Sequence, residues 1–427
     1  MSKFLDRVSA VLAFAYLVGL LAPQAAAQSG ASAGEGVSGS RNTSVRERSK
    51  PELEPTGVRM GGFMLFPTVT LSEEYTSNVF AEPVNERDDF VTHLGAGVSL
   101  RSNWNNHALG FSANAEQRWF AEYDEQNAFD GTVGADGRLD VSRDTQIGFG
   151  ASYGSLYESI AYTPSNALVA EPISYTQESA SVFVSQRFNR IRIGLEGRTV
   201  SYDYDDGVLL GGGPLEQDDR DVEITEAVGR ADFAIGGSTA LFVAVRGNWR
   251  KNDVNVPVNR DSDGREVIAG VAFDLANLAR GEIGVGALKQ EYEQPGATDV
   301  DGAAARARIE WFPDDLVTVT FNAQRDIGDA GYQGATGYVS DTLSVQADYE
   351  FRRSLVFGLG VWGAQDSYRG IDREDTRRRY DASADYIVNR TASAFLQFSS
   401  YSQDSDGAQR GREFDAHRVW VGLRLRR

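Results

Sequence analysis

The groups in this sequence best placed to do chemistry are arginines and carboxylates on the polar parity of runs that alternate polar with apolar residues. Arg192, Arg198, Arg246, Arg250, Arg306, Arg308, Arg418 and Arg424 fall on that parity, and so do Asp348 and Glu350. A row of guanidinium groups can hold anions in bidentate fashion, whereas arginine facing carboxylate braces a wall. For any single residue, bracing is the simpler reading. Trp362 and Trp420 share the parity of these charges. Other chemistry is poorly supplied. With no cysteine there is no disulfide, thiolate nucleophile or cysteine-bound metal. The three histidines, His93, His107 and His417, are scattered, so acid–base catalysis lacks paired groups and no enzyme is expected. Asp261-Ser262-Asp263-Gly264 and Asp404-Ser405-Asp406-Gly407 look like the start of calcium loops. A full loop from Asp261 would need glutamate where Ala272 stands, so solvated acidic turns are expected instead. Gly211-Gly212-Gly213-Pro214 has neither the lysine nor the following helix of a phosphate cradle. No cofactor and no metal follow from these residues.

The elements that carry these side chains are strands. Leu109, Phe111, Ala113 and Ala115 share one parity of their run, and Gly110, Ser112, Asn114, Glu116 and Arg118 the other. The same alternation recurs around Val243, Val319, Val345 and Val421. Neighbours on a strand point to opposite faces, so each run has one oily side and one polar side. About eighteen such runs follow one another from Arg59, the pattern of an outer-membrane barrel. Connections alternate between tight and long. Phe188-Asn189-Arg190, Gly236-Gly237-Ser238 and Phe351-Arg352-Arg353 are tight, while 78–89, 161–172, 203–220, 253–264 and 403–412 are long and polar. A soluble sandwich has no reason to shorten every second connection, but a barrel with short periplasmic turns and long outer loops does. The fold expected is all-β, a transmembrane antiparallel up-and-down β-barrel of about 18 strands.

Tryptophan placement agrees with that threading. Trp104, Trp119, Trp249 and Trp311 lie on the apolar parity near strand ends and are candidates for the two aromatic girdles at the membrane boundaries. Trp104 and Trp311 belong to the periplasmic rim, Trp119 and Trp249 to the outer rim. The polar parity then lines the interior, and its mixture of signs implies water inside a porin-sized lumen.

Residues 1–27 read as a cleaved secretory signal peptide. Lys3 and Arg7 precede an apolar run from Val8 to Leu21, and Ala25-Ala26-Ala27 supplies the cleavage pattern. That run is too short to span a bilayer comfortably. Residues 28–57, rich in Ser, Gly, Glu and Pro, are expected to be a disordered periplasmic linker, and 58–427 the barrel. Lys and Arg number 42 against 61 Asp and Glu, a net charge of −19, which excludes a nucleic-acid surface. Export by the Sec route followed by insertion into the outer membrane of a Gram-negative cell is the location implied, with outer-membrane lipid as the first partner.

The opening strand and its exit, MGGFMLFPTVTLSEEYTSNVF from Met60 to Phe80, followed by amphipathic strands and an arginine-rich final strand, resembles the putative β-barrel porin 2 family. That resemblance implies a channel for exopolysaccharide or capsular polysaccharide, served by a periplasmic polysaccharide-export protein. Within it, Trp362, Trp420, Phe242 and Tyr202 would offer faces to sugar rings, and the wall arginines would track uronic acids or phosphate-bearing glycans. The alternatives are a general diffusion porin or a structural barrel without a dedicated polysaccharide. One departure stands out. Many outer-membrane barrels end in an aromatic residue, and this chain ends Leu425-Arg426-Arg427.

Overall fold

A computed structural model describes residues 43–158, 169–209, 211–254, 259–276, 278–328 and 334–427. The expected signal peptide, and residues 28–42 of the expected linker, lie outside the described residues. In chain order the strands are β1 (Val58–Met60), β2 (Phe63–Thr76), β3 (Asp89–Ser102), β4 (Ala108–Phe120), β5 (Ala128–Asp140), β6 (Thr145–Tyr157), β7 (Ser174–Phe188) and β8 (Ile191–Tyr204). A small hairpin, β9 (Gly207–Val208) and β10 (Pro214–Leu215), stands in the next loop. Then come β11 (Val222–Ala234), β12 (Thr239–Asn252), β13 (Ser262–Leu275), β14 (Ala279–Tyr292), β15 (Val300–Asp314), β16 (Val317–Gly328), β17 (Gly337–Arg352), β18 (Leu355–Arg369), β19 (Glu374–Ile387), β20 (Ala392–Asp406) and β21 (Phe414–Arg426).

Nineteen strands share one sheet, and apart from the short β1 each pairs antiparallel with the next, β8 passing to β11. The final strand returns to the first, Thr68 to Thr76 of β2 pairing with Arg426 to Arg418 of β21, so eighteen strands close a barrel. Closure leaves no free edge, as lipid requires of any spanning sheet. Below the point where β21 ends, β1 pairs with Phe63 to Leu65 and covers the remaining edge of β2.

The alternation in the sequence explains the two faces. Leu71, Phe111, Val133, Leu195, Val245, Val285, Leu359 and Leu423 are exposed on the outside, where lipid replaces water. Connections 141–144, 189–190, 235–238, 315–316 and 353–354 lie at the end that holds residues 43–57 and Arg427, the periplasmic end. The connections at the other end are mostly longer, with 370–373 a short exception. Trp104, Trp119, Trp249 and Trp311 are between 42% and 46% exposed on the lipid side. Trp104 and Trp311 stand by short turns, and Trp119 and Trp249 by outer loops. Trp104 packs edge-on against Phe63 with ring centroids 5.4 Å apart.

One expectation is corrected here. Residues 43–57 are not a free tether. They lie against the inner wall at the periplasmic end, with Val45 fully buried and its N–H donating to Thr318 Oγ1 at 3.0 Å. Their composition suits disorder only while no partner is counted, and the barrel supplies carboxylates that match their cations. The first outer loop packs against the barrel. Asn78, Phe80 and Ala81 are at most 2% exposed, because the loop turns inward over the mouth. Asn78 fixes that turn by bonding the Glu82 N–H and carbonyl and the Asp415 carbonyl.

Candidate functional site in the barrel lumen

The polar parity of β11 to β16 forms a ladder of alternating charge. Arg246 lies 3.4 Å from Glu226 and 3.8 Å from Asp326, and Arg306 lies 3.4 Å from Asp326 and 3.7 Å from Glu266. Arg308 pairs with Glu310 at 3.1 Å. Arg250 makes no ion pair among the described residues and donates instead to the Ile327 carbonyl at 2.8 Å. These contacts join β12 to β16, four strands apart, which along the wall is about 19 Å. The reach is explained by β16, whose pairing with β15 stops at Gln324 while its pairing with β17 continues to Gly328. Its outer end therefore leans inward, and Ile327 caps a lumenal apolar cluster of Phe242, Ile268, Ala272, Leu288 and Ala304. A charged recess forms beneath it, lined by Arg246, Arg250, Glu226, Glu266 and Asp326.

Aromatic rings inside the lumen are mostly committed to the wall. Phe242 lies over Gly270 and Gly284, where a Cβ would come within 3 Å of the ring. Arg230 stacks on it at 4.0 Å while pairing with Asp232 and Glu282. Phe395 covers Gly422 in the same way, and Arg424 approaches its ring at 5.6 Å. These contacts explain part of the glycine content, since a residue with a side chain would displace the ring. Trp362 is only 2% exposed, packed with Ala81 of the first outer loop, Tyr401, Phe414 and Ala416, with Arg379 at 5.3 Å. Its face is covered, so the expectation that it meets a passing sugar is corrected: the inward-turned loop occupies that space.

The closing seam has its own network. The His93 ring bonds Glu74 at 2.9 Å through Nε2 and Glu116 at 3.0 Å through Nδ1. Trp420 Nε1 donates to Glu74 at 2.8 Å, and Arg418 stands 3.6 Å from the same carboxylate. Trp420 and Arg418 thus serve the joint between β2 and β21. His107 braces neighbouring turns, its N–H donating to Asp140 and its Nδ1 accepting from the Asp140 N–H. Arg192 donates to Ser185 at 3.0 Å, whereas Arg198 is exposed to the lumen and makes no ion pair among the described residues. Asp348 and Glu350, at 6% and 3% exposed, lie under residues 43–57, where Arg46 reaches Asp348 at 2.7 Å and Arg48 reaches Glu350 at 3.4 Å. No short sequence pattern announces these contacts, because the partners lie some three hundred residues apart in the chain.

At the outer mouth, burial raises the Asp221 carboxyl to about 6, with Asp203, Asp218 and Asp253 adding to the rise against a hydrogen bond from the Tyr204 N–H. The suspected calcium ligand Asp261 accepts from the Asn252 N–H at 2.8 Å and pairs with Lys251 at 3.2 Å. Asp404 and Asp406 belong to β20 and not to a loop.

The family profile described as putative beta-barrel porin 2 matches residues 50–427. The chain belongs to that family. This putative beta-barrel porin 2 protein is an outer-membrane β-barrel of porin-like character, in keeping with its closed sheet. No curated relative matches it. Among solved structures it is similar to OpdK of Pseudomonas aeruginosa with vanillate, at 12% identity over 85% of this chain and 99% of that one, TM-score 0.46. It is also similar to OccK2 (OpdF) of the same organism, at 10% identity over 85% and 97%, TM-score 0.46. A mutant of the ferric enterobactin receptor PfeA shares 8% identity over 85% and 80%, TM-score 0.46. Likeness at this distance carries no argument about what crosses this porin.

Proposed function

We propose that this barrel is a passive conduit for an acidic exopolysaccharide or capsular polysaccharide, delivered by a periplasmic export protein, and that it catalyses no reaction. The observation that carries the reading is the lumenal wall, where arginines recur along β8, β12, β15 and β21 and some, Arg198 and Arg250, lack a carboxylate partner among the described residues. Spaced guanidinium groups weakly held by the wall suit a polyanion that must bind at many points and leave each of them. The braced arginines keep the aqueous surface in place without trapping the polymer. A deletion strain tests the reading by uronic-acid assay of cell-free and periplasmic fractions. Loss of extracellular polymer with periplasmic accumulation is expected. Unchanged polymer together with slower uptake of small solutes would refute it in favour of a general diffusion porin.

A further inference from the structure

We propose that residues 43–57 are a salt-released strap that narrows the periplasmic mouth and masks a cation-selecting set of carboxylates. From Arg46 to Lys50 the strap is held chiefly by charge, while beyond it Arg390 donates to the Pro51 and Glu52 carbonyls at 3.1 and 3.2 Å and Arg426 to the Leu53 carbonyl at 3.3 Å. Arg46 contacts Asp348 at 2.7 Å and Asp385 at 3.1 Å, Arg48 and Lys50 both face Glu350 at 3.4 and 3.6 Å, and Glu47 meets Arg280. Val45 is its one buried apolar side chain. Among the described residues the strap makes no backbone-to-backbone hydrogen bond to the wall; its own, such as Glu54 N–H to the Lys50 carbonyl, stay within it. The wall is built the opposite way, from continuous ladders between strands. Whatever screens charge therefore loosens the strap long before it touches the barrel.

Solvent ions reach the strap from its cation side, since the Arg46 side chain is 39% exposed and that of Arg48 31%, whereas Lys50, Asp348 and Glu350 are covered, so screening acts first on the two arginines. The Debye length falls from about 10 Å at 0.1 M salt to about 3 Å at 1 M. When the strap leaves, Asp348, Glu350 and Asp385 face the mouth without their cations. A group of carboxylates at a pore favours cations. The strap joins β1 directly, so it remains tethered and can return.

Planar-bilayer recording of the full chain tests this, with heat-modifiable gel mobility to show that each variant is folded. In wild type, conductance divided by bulk conductivity should rise about twofold or more between 0.1 and 1 M KCl, and cation preference is compared at 0.1 M, where R46Q/R48Q/K50Q should exceed wild type. R46Q/R48Q/K50Q should show the high value already at 0.1 M. Since the natural chain has no cysteine, V45C/T318C offers a lock that keeps every charge. Oxidised, it should stay at the low value at all salt concentrations, and dithiothreitol should restore the rise. Wild-type conductance strictly proportional to bulk conductivity, or an oxidised lock indistinguishable from its reduced form, would overturn the proposal.

Discussion

Replacing Val133 by arginine should destabilise the barrel by about 2–4 kcal/mol, the penalty for such a charge on the lipid face at mid-membrane. The same replacement one residue earlier, at Thr132, should cost less than about 1 kcal/mol, the usual range for a surface substitution. Val133 sits near the middle of β5, is 53% exposed on the outside, and is flanked by Ala113 and Tyr153 on the neighbouring strands. A strand rises about 3.4 Å per residue, or roughly 2.6 Å along the membrane normal at the usual barrel tilt of about 40°. Phe129, four residues away, therefore stands about 10 Å towards the outer boundary, and Leu139, six residues away, about 16 Å towards the periplasm. That places Val133 near the centre of an apolar band about 25 Å tall. Thr132 points into the lumen between Asn114 and Gly154, where water solvates a guanidinium and Asp130 stands on the same face. Urea unfolding from lipid vesicles, followed by tryptophan fluorescence, measures both. The Val133 change should shift the folding equilibrium by roughly 30-fold to 900-fold. A Thr132→Arg cost equal to or larger than that of Val133→Arg would refute the assignment of faces.

Three further outcomes are expected. Gly270→Ala would place a Cβ 2.1 Å from the Ile283 carbonyl oxygen, a backbone atom that cannot step aside, and should cost about 1–3 kcal/mol in the same unfolding assay. Gly302→Ala, with nothing within 4 Å, is its silent control. The raised Asp221 carboxyl binds its proton in the folded chain before the unfolded chain does, so stability should increase as pH falls from about 6 towards 4. Because the group is partly solvated, that gain should stay below about 2 kcal/mol, and Asp221→Asn should flatten the melting temperature across this window. Neutralising Arg246, Arg250, Arg306 and Arg308 together should reduce anion preference in single-channel recordings, and unchanged selectivity would remove these residues from the permeation path.

The strands were legible because alternation of period two is local: Val419, Val421, Leu423 and Leu425 announce the lipid face of β21 without reference to any other strand. Turn lengths gave the threading for the same reason. What stayed hidden is what depends on distant partners. Arg46, Arg48 and Lys50 read as the charges of a solvated linker until Asp348, Asp385 and Glu350 are brought beside them. The parity of Trp362 was right and its availability was not, since Ala81 reaches it from the long polar loop after β2. Likewise, the arginines of β12 and β15 were placed on the wall by pattern, but the inward lean of β16 that gathers them follows from pairing that ends early at Gln324.

The seam between β2 and β21 also bears on the order in which the molecule is assembled. Every other barrel pairing joins strands adjacent in the chain or separated by one small hairpin, so each hairpin can form while the rest is still being delivered. The seam alone needs both ends of the barrel sequence, and loop closure over that length is the slowest contact to make. His93, Glu74 and Glu116 come together once the first three barrel strands pair, but Trp420 and Arg418 join them only when the circle is complete. Until then Glu74 waits with part of its hydrogen-bonding capacity unused, and the last strand to arrive carries the groups that fill it. The network thus ties the last strand to the first through the interior of β21.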